Sequence, residues 1–111
     1  MKFIRTYTGP DSESHFEQQN FTFDAGTQRT APQDSKRIQF YERHVGFRDF
    51  HTAPRRQYLL YLTAQVELGF GNGSTVTMDP GDVLLVEDLT GRGHTSRVIK
   101  AGLCAVVALE D

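Results

Sequence analysis

The chain has 111 residues with a formal net charge of −2, and 38% of its residues are hydrophobic and 23% charged. This composition is typical of a globular protein and excludes a largely disordered one, and the length fits a single domain over residues 1–111. No apolar stretch approaches the ~20 residues of a membrane helix, and the net negative charge argues against nucleic acid binding, which needs a basic face. The first residues soon turn polar, which predicts no secretory signal, so we expect a cytoplasmic protein.

Short runs of β-branched and aromatic residues, separated by Gly, Pro, Asn and Asp, predict strands throughout the first half of the chain. Helical periodicity is almost absent. The polar, proline-containing stretch 25–36 is predicted to be a loop. The predicted strands are Phe3–Thr8, 15–23, 37–44 and 47–51.

The second half continues this pattern. Asn72-Gly73 predicts a hairpin turn because Asn-Gly tolerates positive φ, and Pro80-Gly81 predicts another tight turn. Eight to ten short strands at regular spacing indicate a β-sandwich or barrel. Several runs are apolar on both faces, which predicts packing against another sheet or a partner subunit. The predicted strands are 57–69, 74–78, 83–87, 94–99 and 103–109.

Two of the four histidines have informative neighbours. Successive strand side chains alternate faces, so His51 and Gln57 share a face if 51–57 is extended. His94 follows a Gly-rich loop and begins a predicted strand. Two imidazoles and an amide oxygen could bind a divalent transition metal such as Mn, Fe, Ni, Cu or Zn. The alternative is a metal-free pocket in which the three side chains hydrogen-bond one another or a ligand.

The order of these segments resembles the small single-domain proteins of the cupin superfamily. His51 matches the first histidine of the first cupin motif, and Ala53 and Gln57 stand where the second histidine and the glutamate usually occur. The second motif is matched by Pro80-Gly81-Asp82 at its opening and by His94 at its close. The resemblance covers nearly the whole chain.

The resemblance implies a cupin-type double-stranded β-helix, which is an all-β jelly-roll barrel. It implies metal ligation by His51, Gln57 and His94, although the missing histidine and the neutral Gln57 should weaken affinity. No organic cofactor is expected. Homodimerisation is expected both from the two-sided apolar strands and from the resemblance.

Other side chains near this predicted pocket have candidate roles. Glu87 and Asp88 follow a strand, and an acid here could be a replacement metal ligand or a general base, with Glu87 and His94 as the candidate catalytic pair. The alternative for Asp88 is that its side chain caps the following turn. Arg55 could hold a substrate carboxylate, and Tyr61 shares the face of Gln57 and could donate a hydrogen bond. The alternatives are a position at a strand edge or an interface for Arg55, together with Arg56, and core packing for the tyrosine.

The predicted function is binding of, or action on, a small oxygenated or carboxylate metabolite in the barrel interior. With a metal this favours an enzyme of the isomerase, lyase or oxygenase type, whose reaction the sequence does not define. The alternative is a metal-free, non-catalytic small-molecule-binding domain. A purely structural role is the third hypothesis, since one fold hosts many functions.

Overall fold

Ten β-strands make up the regular secondary structure, and the computed structural model describes all 111 residues. No helix is long and apolar enough to cross a membrane. The strands are β1 (Phe3–Thr8), β2 (Ser14–Gln18), β3 (Arg37–Arg43), β4 (Gly46–His51), β5 (Gln57–Tyr61), β6 (Gln65–Gly69), β7 (Thr75–Met78), β8 (Val83–Val86), β9 (His94–Lys100) and β10 (Gly102–Ala108).

The strands form two sheets in one all-β domain. The six-stranded sheet has the order β2-β1-β8-β5-β10-β3, and the four-stranded sheet has the order β4-β9-β6-β7. The β1–β8 pair is parallel and the other pairs are antiparallel. The all-β prediction is confirmed, and the structure shows two separate sheets rather than a barrel closed by continuous hydrogen bonding.

The longest predicted strand, 57–69, is two strands in different sheets. The chain turns at 62–64, where the backbone N–H groups of Leu62 and Thr63 both donate to the carbonyl of Leu103. Gly102 lies so close to the backbone of Ala64 that a Cβ would collide with it. This turn moves the chain from the six-stranded to the four-stranded sheet.

The predicted strand 15–23 is also shorter in the structure, where β2 ends at Gln18. Phe21 instead stacks on Phe3, with ring centroids 4.4 Å apart. The alternating Phe21 and Phe23, which predicted a longer strand, lie beyond its end, and Phe21 packs on the outer face of the six-stranded sheet. The predicted loop 25–36 is confirmed.

The hydrophobic core lies between the two sheets. Alternate residues of the central strands point inward, as expected for a two-layer β structure. Cys104 lies fully buried in this core, where burial raises the pKa of its thiol. The main core side chains are Ile4, Leu59, Tyr61, Val66, Leu68, Met78, Leu84, Val86, Val98, Cys104 and Val106.

Candidate functional site

A cavity of about 150 Å³ lies between the two sheets at one end of the core. A cavity of this size admits a molecule as large as benzene. Its inner part is apolar, and its polar side chains are contributed by both sheets. The polar and aromatic lining side chains are Tyr41, Arg43, Arg48, His51, Thr52, Gln57, Tyr61, His94 and Ser96.

The antiparallel pairing of β4 with β9 brings two of these side chains together. His51 and His94 are directly opposite in the register, and their ring centroids are 4.7 Å apart. Gly93, with φ of +85°, precedes His94 and lies against the backbone carbonyl of His51. A Cβ at this position would collide with that carbonyl, so only glycine lets the two strands approach here.

A buried carboxylate holds the His94 ring through its Nδ1 atom. Asp88 is fully buried and accepts hydrogen bonds from Thr6 Oγ1 at 2.8 Å and from Ser14 Oγ at 2.7 Å. Its Oδ2 also lies 2.5 Å from His94 Nδ1. Burial opposes ionisation of Asp88, but the hydrogen bonds from His94, Ser14 and Thr6 outweigh it and lower its pKa below the ordinary value. Asp88 is therefore a carboxylate at neutral pH.

The hydrogen bonds of the two imidazoles define which ring nitrogen is available. His51 Nδ1 lies 2.8 Å from the backbone carbonyl oxygen of Asp49, which can only accept, so this nitrogen carries the hydrogen. The Asp88 carboxylate imposes the same assignment on His94 Nδ1. In its neutral form, each imidazole would keep the lone pair of Nε2, the pattern found in metal-ligating histidines and in general bases. Burial, the main influence, lowers the pKa of His51 and favours its neutral form.

Gln57 is the third predicted ligand, and it also lines the cavity. Its side chain is buried, and its Oε1 accepts a long hydrogen bond of 3.4 Å from Arg55 Nη1. The described chain contains no group of three or more His, Cys, Asp and Glu side chains that could hold a metal ion. A metal here would rely on two imidazole nitrogens and one neutral amide oxygen, a donor set that suits a transition metal and leaves positions open.

The predicted catalytic acid Glu87 does not line the cavity. Its carboxylate lies between Arg5 Nε and Arg56 Nε, each 2.5 Å away. Burial opposes its ionisation, but the two guanidinium groups outweigh this and lower its pKa. The neighbouring Asp88, for which the sequence left turn capping or function open, is the acid that contacts His94.

The two residues predicted to bind substrate are placed differently. Tyr61 lines the cavity and is almost completely buried, and this burial raises its pKa well above the ordinary value. Its hydroxyl is therefore a permanent donor near neutral pH. Arg55 is not one of the lining residues, and it approaches the cavity only through its contact with Gln57.

Two cationic side chains of the cavity were not identified from the sequence. Arg43 on β3 and Arg48 on β4 both line it, and none of the lining residues is acidic. Tyr41 shares the face of Arg43 because strand side chains alternate. The alternation along β3 places Ile38 and Phe40 on one face and Tyr41 and Arg43 on the other, and this pattern could have indicated Arg43. The sequence does not show which sheet β3 joins, so it does not show that this second face borders the cavity.

No protein-family model matches the chain, and no match was found among curated proteins or among solved structures. The case for a function therefore rests on the side chains that surround the cavity.

Proposed function

We propose that the chain is a small cupin-type protein whose cavity binds, and acts on, a small carboxylate or other oxygenated metabolite. In this proposal His51, Gln57 and His94 hold a divalent transition metal. The observation that carries the proposal is that both imidazoles line one cavity with Nδ1 already engaged, which leaves Nε2 of each ring as the nitrogen that would bind a ligand.

The charges around the cavity support an anionic ligand. Arg43 and Arg48 line it, whereas its lining contains no carboxylate, although the chain as a whole has a net charge of −2. A guanidinium group matches the planar geometry of a carboxylate and can donate two parallel hydrogen bonds. The apolar inner part, formed by side chains such as Leu59 and Leu84, would receive the hydrocarbon part of the same molecule.

The remaining polar groups have definite roles in this proposal. Tyr61 donates a hydrogen bond to a ligand oxygen, and Asp88 positions the His94 ring through Nδ1. A bound divalent metal would supply Lewis acidity toward a ligand oxygen. Glu87, held by two arginines outside the cavity, takes no part in this proposal. The expected reaction classes remain isomerase, lyase and oxygenase chemistry.

A metal-free, non-catalytic binding domain is the second candidate, and the engaged Nδ1 atoms of both histidines support it. A group that holds an imidazole through Nδ1 fixes the ring orientation and aims Nε2 at a ligand without any metal. In that case His94 and His51 accept hydrogen bonds from the ligand directly.

Elemental analysis of protein purified without a chelator or a metal-affinity tag separates the two candidates. We expect about one transition metal ion per chain, taken up at purification or on soaking. His51→Ala should lose the metal, because it removes one of the three proposed ligands. This substitution leaves the buried Asp88 network intact, since His51 is not part of it. His15→Ala is the matched control, since His15 pairs with Asp11 away from the cavity.

The outcomes are distinct. Undiminished metal in His51→Ala would contradict the proposed ligand set. Wild-type protein that stays metal-free after soaking, but is stabilised against heat by small carboxylates, would favour the second candidate. Carboxylate binding that is unaffected by Arg48→Ala would contradict the assigned role of the cavity arginines.

A further inference from the structure

The outer face of the six-stranded sheet, opposite the inner cavity, is apolar across four of its six strands, whereas β1 and β2 continue it with the Arg5–Glu17 ion pair. The strand registers place one row of outward side chains across β8, β5, β10 and β3, and a second row beside it. A sheet that is apolar on both faces needs a cover on each. The first row is Val83, Leu60, Ala105 and Phe40, and the second is Leu85, Tyr58, Val107 and Ile38.

The chain covers only one side of this face with its own segment 19–33. Phe21 stacks on Phe3, and the Tyr58 hydroxyl donates to Gln33 Oε1 at 2.9 Å. A cavity of about 570 Å³ remains between this segment and the sheet. Its lining is largely apolar and includes Val107 of β10 and Ala31 of the segment. Segment 19–33 therefore borders an apolar groove on this face and does not fill it.

Beside the groove, the edge strand β3 is left uncovered. Phe40 is 67% exposed and Ile38 is 56% exposed, and every residue from 20 to 42 is exposed. An exposed edge strand that carries large apolar side chains is a template for unwanted association unless something covers it. The groove and these projecting side chains lie next to each other on the same face, because Val107 of the groove lining is paired with Ile38 in the strand register.

We propose that a second copy of this chain covers this face, with Phe40 and Ile38 of each copy seated in the groove between segment 19–33 and the sheet of the other. A two-fold contact uses the same patch on both copies, so it requires a patch that contains both the projection and the groove that receives it. This face has both. The proposal is independent of the ligand or metal in the inner cavity.

The exposed apolar area is consistent with a stable dimer. The exposed fractions of the five large side chains on this face and its rim correspond to roughly 500 Å² at about 200 Å² per side chain. A standard interface buries about 800 Å² per partner, of which about 65% is apolar at homodimer contacts. The five are Phe21 at 39%, Phe23 at 59%, Ile38 at 56%, Phe40 at 67% and Leu103 at 44%.

Sedimentation or light scattering over a range of protein concentrations tests this surface. We expect wild-type protein to have twice the 12.5 kDa mass of the chain. Phe40→Asp should weaken dimerisation at least about thirtyfold, as removal of a central aromatic anchor usually does. Its matched control is Phe47→Asp, which places the same charge on another phenylalanine that is more than half exposed, on β4 in the other sheet.

A second pair of variants tests the groove without touching a strand. Ala31→Glu introduces a charge into the groove lining and should also give monomers, whereas Ala25→Glu, in the same loop but outside the lining, should remain dimeric. Unchanged circular dichroism and a melting transition that stays cooperative in the monomeric variants exclude unfolding as the cause, since loss of the partner alone lowers the melting temperature.

Three results would overturn the proposal. One is a wild-type chain that stays monomeric at all concentrations, as expected if another protein or a small apolar molecule covers the face. The second is a dimer that survives both Phe40→Asp and Ala31→Glu. The third is a dimer that Phe47→Asp disrupts as strongly as Phe40→Asp, which would place the contact elsewhere.

Discussion

Two adjacent carboxylates at the end of β8 lie in opposite environments. Asp88 is fully buried between the sheets, where its three hydrogen-bonding partners are two hydroxyl groups and an imidazole. Glu87 lies on the other side of the chain between two guanidinium groups that are about one-third exposed. The pKa values of both acids are lowered, but by different means.

The difference shows that the environment, and not the residue type, determines what each acid can do. Full positive charges near solvent hold Glu87, so its pairs are screened by water and salt. Asp88 has no arginine or lysine hydrogen-bonded to it, and its charge is stabilised by donors that the fold must place correctly. The hydrogen bonds of Asp88 should therefore contribute more to the free energy of unfolding and to the position of His94 in the cavity. The ion pairs of Glu87 should contribute little to either.

Removal of the buried acid is the strongest test of this comparison. We expect Asp88→Ala to lower the free energy of unfolding by about 3–5 kcal/mol, because it leaves three buried polar partners without their acceptor. Asp88→Asn, which keeps the shape and one oxygen acceptor, should lose less. Urea unfolding measures both, and a loss below about 0.5 kcal/mol in Asp88→Ala would show that this network does not hold the site together.

The contrast between the two acids also marks the limit of what the sequence predicts. The turns at Asn72-Gly73 and Pro80-Gly81 were predicted because their determinants are local. The environment of Asp88 is not local, since its hydroxyl donors Thr6 and Ser14 are 82 and 74 residues away along the chain. Sequence alternation did not decide which of two adjacent acids would face inward after the strand ended.

The candidate site was predicted in part for the same reason. His51, Gln57, Tyr61 and His94 were selected from strand alternation and motif resemblance, and the structure places all four around one cavity. The two arginines of that cavity come from β3 and β4, which are the edge strands of different sheets. Their convergence depends on tertiary pairing that the alternation within each strand does not contain.

Acid should weaken the fold through Asp88 in particular. Its folded-state pKa lies below the ordinary 3.8, so its stabilising contribution is fully present above that value and is lost as pH falls through the lowered pKa. We expect the free energy of unfolding, measured by urea titration from pH 6 down to pH 3, to fall in the acid range. The fall should be shallower in Asp88→Asn than in wild type. Identical slopes in the two proteins would mean that protonation of Asp88 is not linked to unfolding.

The smallest effect is expected on the Glu87 side. Glu87→Gln removes the charge but keeps the shape, and we expect it to cost about 1 kcal/mol or less, since Arg5 and Arg56 can turn to solvent. Moderate salt should reduce this cost further, whereas the cost of Asp88→Ala should barely respond, because a buried network is poorly screened. Urea unfolding of both variants at low and high ionic strength compares the two sides directly. A loss in Glu87→Gln that equals that of Asp88→Ala and persists in salt would contradict this division, because it would mean that the ion pairs of Glu87 are as sheltered as the network behind His94.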